Sequence, residues 1–387
     1  MNEINLNFKR TMMKTMKGTK VHSLLLTAMI TVAFMACETN PAVEPQADVL
    51  PDQFTIKIPS SLSNPAVSSG RFASGRVTGD IPTGDDIYGS LNIFIGVGEF
   101  SADIVDEVIK SIRRFKINKP MTLTYQSDDD SRDKTLIVEE NVVFEGETFE
   151  FGLTMTDSDS EGNNDGGKAM QIFWNTDPVK GVAILKPFNI DRLHDADQGE
   201  AVVRIDYNSA GDANYDATME VSVANLPLED PSVDLYSLRA LKMFVGKKGD
   251  IVDVYGNSSH PNARFFTDAV GFNWAFVASG DESQDIGVAE VGLPPSNLDS
   301  NDRAVLLGEY SIKNVFVDQI TQKFPGISQT DLDAYLVNAL APGYFNSDGF
   351  VVGGASPGAA WDGLADRITD LTPFNPVDIA NLTIDFN

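Results

Sequence analysis

The sequence predicts a mainly β protein: an antiparallel meander forming a barrel or sandwich, with a few helices near 101–115 and in the C-terminal part. Three observations predict it. From Met121 onward apolar residues recur with period two. Phe149, Phe151, Leu153 and Met155 alternate with polar neighbours, as do Met219, Val221 and Val223, which is the spacing of half-buried strands. The runs are short and parted by turn-forming clusters such as "SDDDSRD" and "NSAGDANYD", as in all-β folds. No helical run separates them regularly, which argues against a parallel sheet of βαβ units.

Residues 23–36 carry no charge, and Lys9, Arg10, Lys14, Lys17 and Lys20 stand upstream. A basic head before a short apolar core is the layout of a secretory leader. The run falls short of the ~20 apolar residues that span a bilayer. A leader is therefore expected over 1–36, and Met16 would open a compact version of it. Residues 37–53, rich in proline and polar side chains, read as a flexible tether.

A β-rich domain is expected over 54–298. It opens with a strand-like "FTIKI" at 54–58 and a Ser/Gly/Pro-rich loop to about Gly89. A helix follows over 101–115. Ser101 suits its cap and Arg113 and Arg114 its last turn, while Ile104, Val108, Ile112 and Phe115 share one face. The runs "MTLTYQ", "TLIVEENVVF", "TFEFGLTMT", "AMQIFWN", "GVAILK", "EAVVRIDY" and "ATMEVSVANL" are the strands expected before residue 227. "IVDVYG", "GFNWAFVAS" and "IGVAEVGL" continue the series, the last two as a hairpin around "GDESQD". Residues 299–387 read as a mixed α/β region packed on the same domain. Helices are expected at 328–340, capped by Ser328 with Asp331 three residues on, and at 359–371. "ANLTIDF" is the candidate closing strand.

Cys37 is the only cysteine in 387 residues, and it stands where the apolar run ends. The tetrapeptide "FMAC", 34–37, resembles the lipobox of bacterial lipoproteins. Ala36 matches the small residue before the cut, while Phe34 and Met35 depart from the commoner Leu and small residue. The resemblance covers about the first tenth of the chain. It implies that Cys37 receives a diacylglycerol thioether, that cleavage precedes it, and that the new amino terminus is acylated. Several acyl chains, palmitate among them, anchor a protein stably where one does not. Glu38, in place of the aspartate that retains enterobacterial lipoproteins in the inner membrane, leans towards the outer membrane. The domain would then face the periplasm or the exterior. With Cys37 acylated, the folded part has no thiol, which excludes disulfides, thiolate catalysis and cysteine-bound zinc.

The chain is 42% hydrophobic and 22% charged, enough for a core, and its formal charge is −27. Without the first 36 residues, which carry five basic residues and Glu3, it keeps 24 Lys and Arg against 55 Asp and Glu, or −31. Such a surface repels phosphate backbones. Nucleic acid is excluded as a partner.

Four constellations bear on chemistry. In "DSDSEGNND", 157–165, Asp157, Asp159, Glu161 and Asp165 surround Gly162. This resembles a DxDxDG calcium loop, whose alternating acids converge on one hard cation. Lys168 stands where the bidentate glutamate of an EF-hand would be, and the same residues also read as a solvated hairpin tip. "GASPG", 354–358, matches G-x-S-x-G. Pro357 has no N–H to offer an oxyanion and no histidine follows His260, so a nucleophile elbow is rejected. His194 and His260 are expected in solvated loops. Trp174, Trp274 and Trp361 are candidates for a sugar platform, although two lie in strand-like runs where core packing is usual. Acidic residues are too many to single out a catalytic pair.

The expectation is a lipid-anchored envelope protein acting as a noncatalytic binding or structural component, for a glycan or a partner protein. The alternatives are a carrier of a lipid or other apolar ligand within a barrel and, more weakly, a carboxylate-dependent hydrolase.

Overall fold

The computed structural model describes residues 50–51, 53–63, 83–117, 119–128, 130–193, 199–231, 234–265 and 271–387. The segments expected as leader and tether, apart from residues 50, 51 and 53, lie outside the described residues, as do Cys37 and His194.

Thirteen strands follow one another as neighbours in a single antiparallel sheet. They are β1 (Met121–Gln126), β2 (Asp133–Phe144), β3 (Glu147–Asp157), β4 (Lys168–Thr176), β5 (Val179–Leu185), β6 (Val202–Asn208) and β7 (Ala217–Ala224). The second half is β8 (Ala240–Lys248), β9 (Ile251–His260), β10 (Phe272–Asp281), β11 (Ile286–Gly292), β12 (Gly343–Asn346) and β13 (Gly349–Gly353). The meander and ten of its strands are as expected. Closure is not: β1 and β13 are the two edges of one open sheet and do not pair with each other, so the sheet is not a barrel.

A helix explains the open edges. The chain forms α1 (Ser60–Ser63) and then α2 (Gly84–Ile112), followed by a 3-10 turn, Arg113–Phe115. Tyr88 near the start of α2 stacks on Phe350 of β13, with ring centroids 4.9 Å apart. Phe115, just past its end, meets Tyr125 of β1 at 5.2 Å. Between them Phe94 packs edge-on against Trp274 of β10. The apolar face of the sheet is thus covered by a helix that reaches both edge strands, and needs no closure on itself.

This helix starts 17 residues before the one expected. Thr83 and Asp86 form a reciprocal capping box at its start, which satisfies two otherwise orphaned amides. Gly89, Gly96 and Gly98 disguise the first half as loop, since glycine disfavours helix by about 1 kcal/mol. Gly98 is there for contact: a Cβ would stand 2.4 Å from Cε of Met243 on β8.

"FTIKI" alternates in burial but has no strand partner. The Phe54 amide donates to Asp106 Oδ1 at 2.7 Å and the Ile58 amide to Glu99 Oε1 at 2.8 Å. The extended segment is tied to carboxyl groups of α2 in place of a sheet edge.

The C-terminal region is divided between the two faces: Leu306, Leu307, Leu364, Ile368 and Leu371 cover the face opposite α2, while Ile312, Phe316, Ile320 and Leu332 join the core that α2 covers. It comprises a π-helical turn (Ala304–Glu309), α4 (Ile312–Lys323), α5 (Gln329–Tyr335), α6 (Ala359–Arg367) and α7 (Pro376–Ala380), the earlier α3 being Pro187–Ile190. Residues 299–387 also supply β12 and β13. Ser328 caps α5 by accepting from the Asp331 amide at 3.1 Å, but that helix ends at Tyr335, short of the expected 340. Arg367 of α6 donates through Nε to buried Asp253 of β9 at 3.0 Å. "ANLTIDF" is not a strand. Ile384 and Phe386 pack on a cluster with Phe144, Phe149 and Phe173, and the Asn387 amide donates to Gln171 Oε1 at 2.7 Å. Sandwiched between the two coverings, all ten residues of β10 are buried.

Candidate functional site

Beyond β11 the chain crosses back over the start of β10, where Asn273 N donates to Pro294 O and Ser296 N to Gly271 O, each at 2.9 Å. It returns through the π-helical turn, whose exit is pinned by Leu293 N donating to Tyr310 O at 2.8 Å. Arg303 fixes the entry by donating to Leu371 O at 3.0 Å and pairing with Glu290. A cleft of about 330 Å³ opens between these segments and α4, within the range of small-ligand sites. Phe265, Phe272, Leu293, Pro295 and Val315 give it an apolar wall. Phe265 and Phe272 stack at 4.4 Å, braced edge-on by Phe316. Glu309, Tyr310, Asn314, Asp318 and Gln319 supply the polar side, and its lining has no Lys, Arg or His. An anion finds no countercharge there. A ligand with several hydroxyl donors and an apolar face does find partners.

The geometry depends on Gly292. A Cβ at that position would lie 1.9 Å from Leu306 O. Gly292→Ala is expected to lift the π-helical turn, displacing Glu309 and Tyr310, and to lower stability by about 1–3 kcal/mol as overpacking does. Denaturant titration beside ligand titration checks this. Wild-type values in both would refute it.

The acidic loop at 157–165 is put to another use. Asp157, fully buried, accepts from Arg132 Nε at 2.8 Å, Lys134 Nζ at 3.3 Å and its own loop's Asp159 N at 3.1 Å. Arg192 Nε lies 3.4 Å from it. Burial alone would raise its carboxyl pKa, but Arg132 and Lys134 outweigh this and hold it low. Asp165 accepts from Lys186 Nζ at 2.7 Å and Asn189 Nδ2 at 2.9 Å. Asp159 and Glu161 face solvent. The two inner acids expected to hold calcium are engaged by protein cations. Among the described residues no three His, Cys, Asp or Glu side chains gather to hold a metal ion.

His260 is not in a solvated loop. It is fully buried, ends β9 and packs between Phe94 and Trp274, each with centroids at 4.6 Å. Nδ1 lies 2.7 Å from Tyr236 O and Nε2 lies 2.8 Å from Ser258 Oγ. A carbonyl only accepts, so Nδ1 carries the proton and Nε2 accepts the serine hydroxyl. This Ser–His pair has the contact of a hydrolytic dyad, but both side chains are sealed from solvent. Ser356 of "GASPG" donates to Asp362 Oδ1 at 2.8 Å.

Trp174 and Trp274 are core residues. Trp361 donates Nε1–H to Phe345 O at 3.0 Å and packs on the C-terminal cluster, so the three tryptophans make no common platform. The cleft had no sequence signal, because its wall comes from the segments after β9 and β11, the start of β10, the π-helical turn and α4. No protein-family model, curated protein or solved structure matches the chain.

Proposed function

We propose that this is a lipid-anchored envelope protein, held through Cys37, whose domain binds a ligand without transforming it, and that the ligand is a neutral glycan. The cleft beside α4 carries this reading. It offers a sugar's hydroxyls two carboxyl groups, two amides and a phenol, and its C–H faces an apolar wall. The fate of other reactive groups supports a binding role: the Ser258–His260 pair is sealed, and Asp157 and Asp165 hold basic side chains. The barrel carrier loses support, since the sheet is open and α2 lies on the face a ligand would occupy.

Titration calorimetry with neutral glucan and mannan oligosaccharides tests the proposal. Asn314→Ala with Asp318→Ala, both exposed on α4, is expected to weaken binding at least tenfold, the worth of one or two hydrogen bonds, and to lower stability by only about 1 kcal/mol through loss of the Asn314 Nδ2 bond to Gly308 O. Absence of binding to every oligosaccharide would refute it. Glu309 and Asp318 on one cleft also favour a second reading, the carboxylate-dependent hydrolase. Shortened oligosaccharides in the same mixtures, lost in Glu309→Gln, would select it.

A further inference from the structure

Between Glu107 and Asp128 the chain has no acidic residue and five basic ones, Lys110, Arg113, Arg114, Lys116 and Lys119. In a chain of net charge −27 this is a local reversal of sign. It falls at one place in the fold, the last turn of α2 and the connection to β1. Lys110, Lys116 and Lys119 are exposed, and none has an ion-pair partner among the described residues. The sheet register puts Glu139 and Glu140 beyond Met121 on β2, so the patch ends there.

Arg113 turns inward. Its guanidinium donates to Leu50 O at 3.1 Å and to Pro51 O. Leu50 and Pro51, the first described residues, therefore lie at the basic patch. Residues 38–49 reach at most about 40 Å when extended. An anchor at Cys37 would thus be tethered to the basic end of the domain.

We propose that this patch docks on the anionic phospholipid headgroups of the leaflet holding the anchor, and so orients the domain. The inference rests on the Cys37 anchor reading. Acyl chains give strength without orientation, while a basic patch beside them adds a second, directional contact. The rest of the acidic surface is repelled by the same headgroups, which favours one pose. In that pose α2, about 43 Å long, stands between the membrane-facing patch and β12–β13 at its other end.

The test uses residues 37–387 with Cys37→Ser, which lack the apolar leader and cannot be acylated, and compares them with the same chain carrying Lys110→Gln, Lys116→Gln and Lys119→Gln. Cosedimentation is measured with vesicles of phosphatidylglycerol plus phosphatidylcholine and of phosphatidylcholine alone. Binding only to the anionic vesicles is expected. The triple substitution should weaken it about a hundredfold, near fivefold per lysine, and added salt should abolish it. Equal binding with and without the lysines overturns the proposal and leaves the patch to the chain's own acidic tether. Lipid labelling and membrane fractionation of Cys37→Ser in cells decide the anchor separately. Continued labelling there would remove the anchor reading whatever the vesicles show. The exposed lysines are not needed for folding, so an unchanged denaturation midpoint checks the variant.

Discussion

Replacing Lys134 by methionine is expected to destabilise the protein by about 3–5 kcal/mol, as removing one partner of a buried ion pair does. Lys134 belongs to β2, and its side chain is 1% exposed. Its ammonium donates to Asp130 Oδ2 at 2.9 Å, Asn189 O at 3.0 Å and Asp157 Oδ2 at 3.3 Å, which uses all three of its donors. Both aspartate side chains are wholly buried. Methionine fills the space of the alkyl stem but leaves two carboxylates without the cation between them. Asp157 keeps Arg132, whereas Asp130 keeps only amides, Arg132 N and Arg192 N at 3.1 Å each. Asp130→Asn in the Lys134→Met background should therefore recover about 1 kcal/mol or more, a coupling typical of contacting residues. Urea titration of the single and double variants measures it. A single variant as stable as wild type would show that the network contributes nothing.

That network also shows what the sequence makes legible. Strands were readable where polar and apolar residues alternate and turn residues bound them, so β1 to β7 fall close to their expected ends. β8 carries the same signal in Leu241, Met243 and Val245, yet Phe244 and the flanking lysines blur its outward side. β9 runs to His260 because its buried face continues through Ser258 and His260, polar residues satisfied by each other and by Tyr236 O. No local pattern announces that. The alternation at 157–165 was legible as an acid loop, but its partners Arg132, Lys134, Lys186 and Arg192 come from both sides of it in the chain. Which cation an acid meets is decided by the sheet register, which pairs Lys134 with Asp157. The first half of α2 was hidden because its glycines lower local helix propensity, and one of them, Gly98, serves contact with β8. The cleft was hidden for a similar reason: its π-helical turn is fixed by Arg303 reaching Ile368 O and Leu371 O in a distant segment.

Acid should weaken the fold through His260, and the sign of the effect changes along the pH scale. Burial, first of all, pushes the His260 pKa from 6.5 to about 3, only partly opposed by its hydrogen bond to the Tyr236 backbone. Between those values the unfolded chain binds a proton that the folded chain refuses. Stability from the neutral ring is therefore fully present above pH 6.5 and falls by about 1.4 kcal/mol per pH unit down to about 3. Glu99 acts oppositely. Burial against the 54–58 segment raises its carboxyl from 4.5 to about 7, so the folded chain takes up a proton first. That contribution is complete below pH 4.5 and is lost as pH rises through 7. From pH 6.5 to 4.5 the two slopes oppose each other, and below pH 6 Asp103, whose carboxyl burial raises from 3.8 to about 6, adds a gain of Glu99's sign. Below 4.5 Asp103 still opposes the histidine down to its ordinary 3.8, and Asp157 and Asp165, whose pKa values their basic partners hold low, add acid loss of the histidine's sign. In His260→Gln, whose amide can donate to Tyr236 O and accept from Ser258, the histidine slope vanishes and Glu99 is uncovered. Its stability should then rise more steeply than that of wild type as pH falls from 7 to 4.5. Denaturant titrations of both proteins across that range decide it. Parallel curves would mean that His260 does not stay neutral in the folded state, and that the contact between Nε2 and the Ser258 hydroxyl is made by a protonated ring.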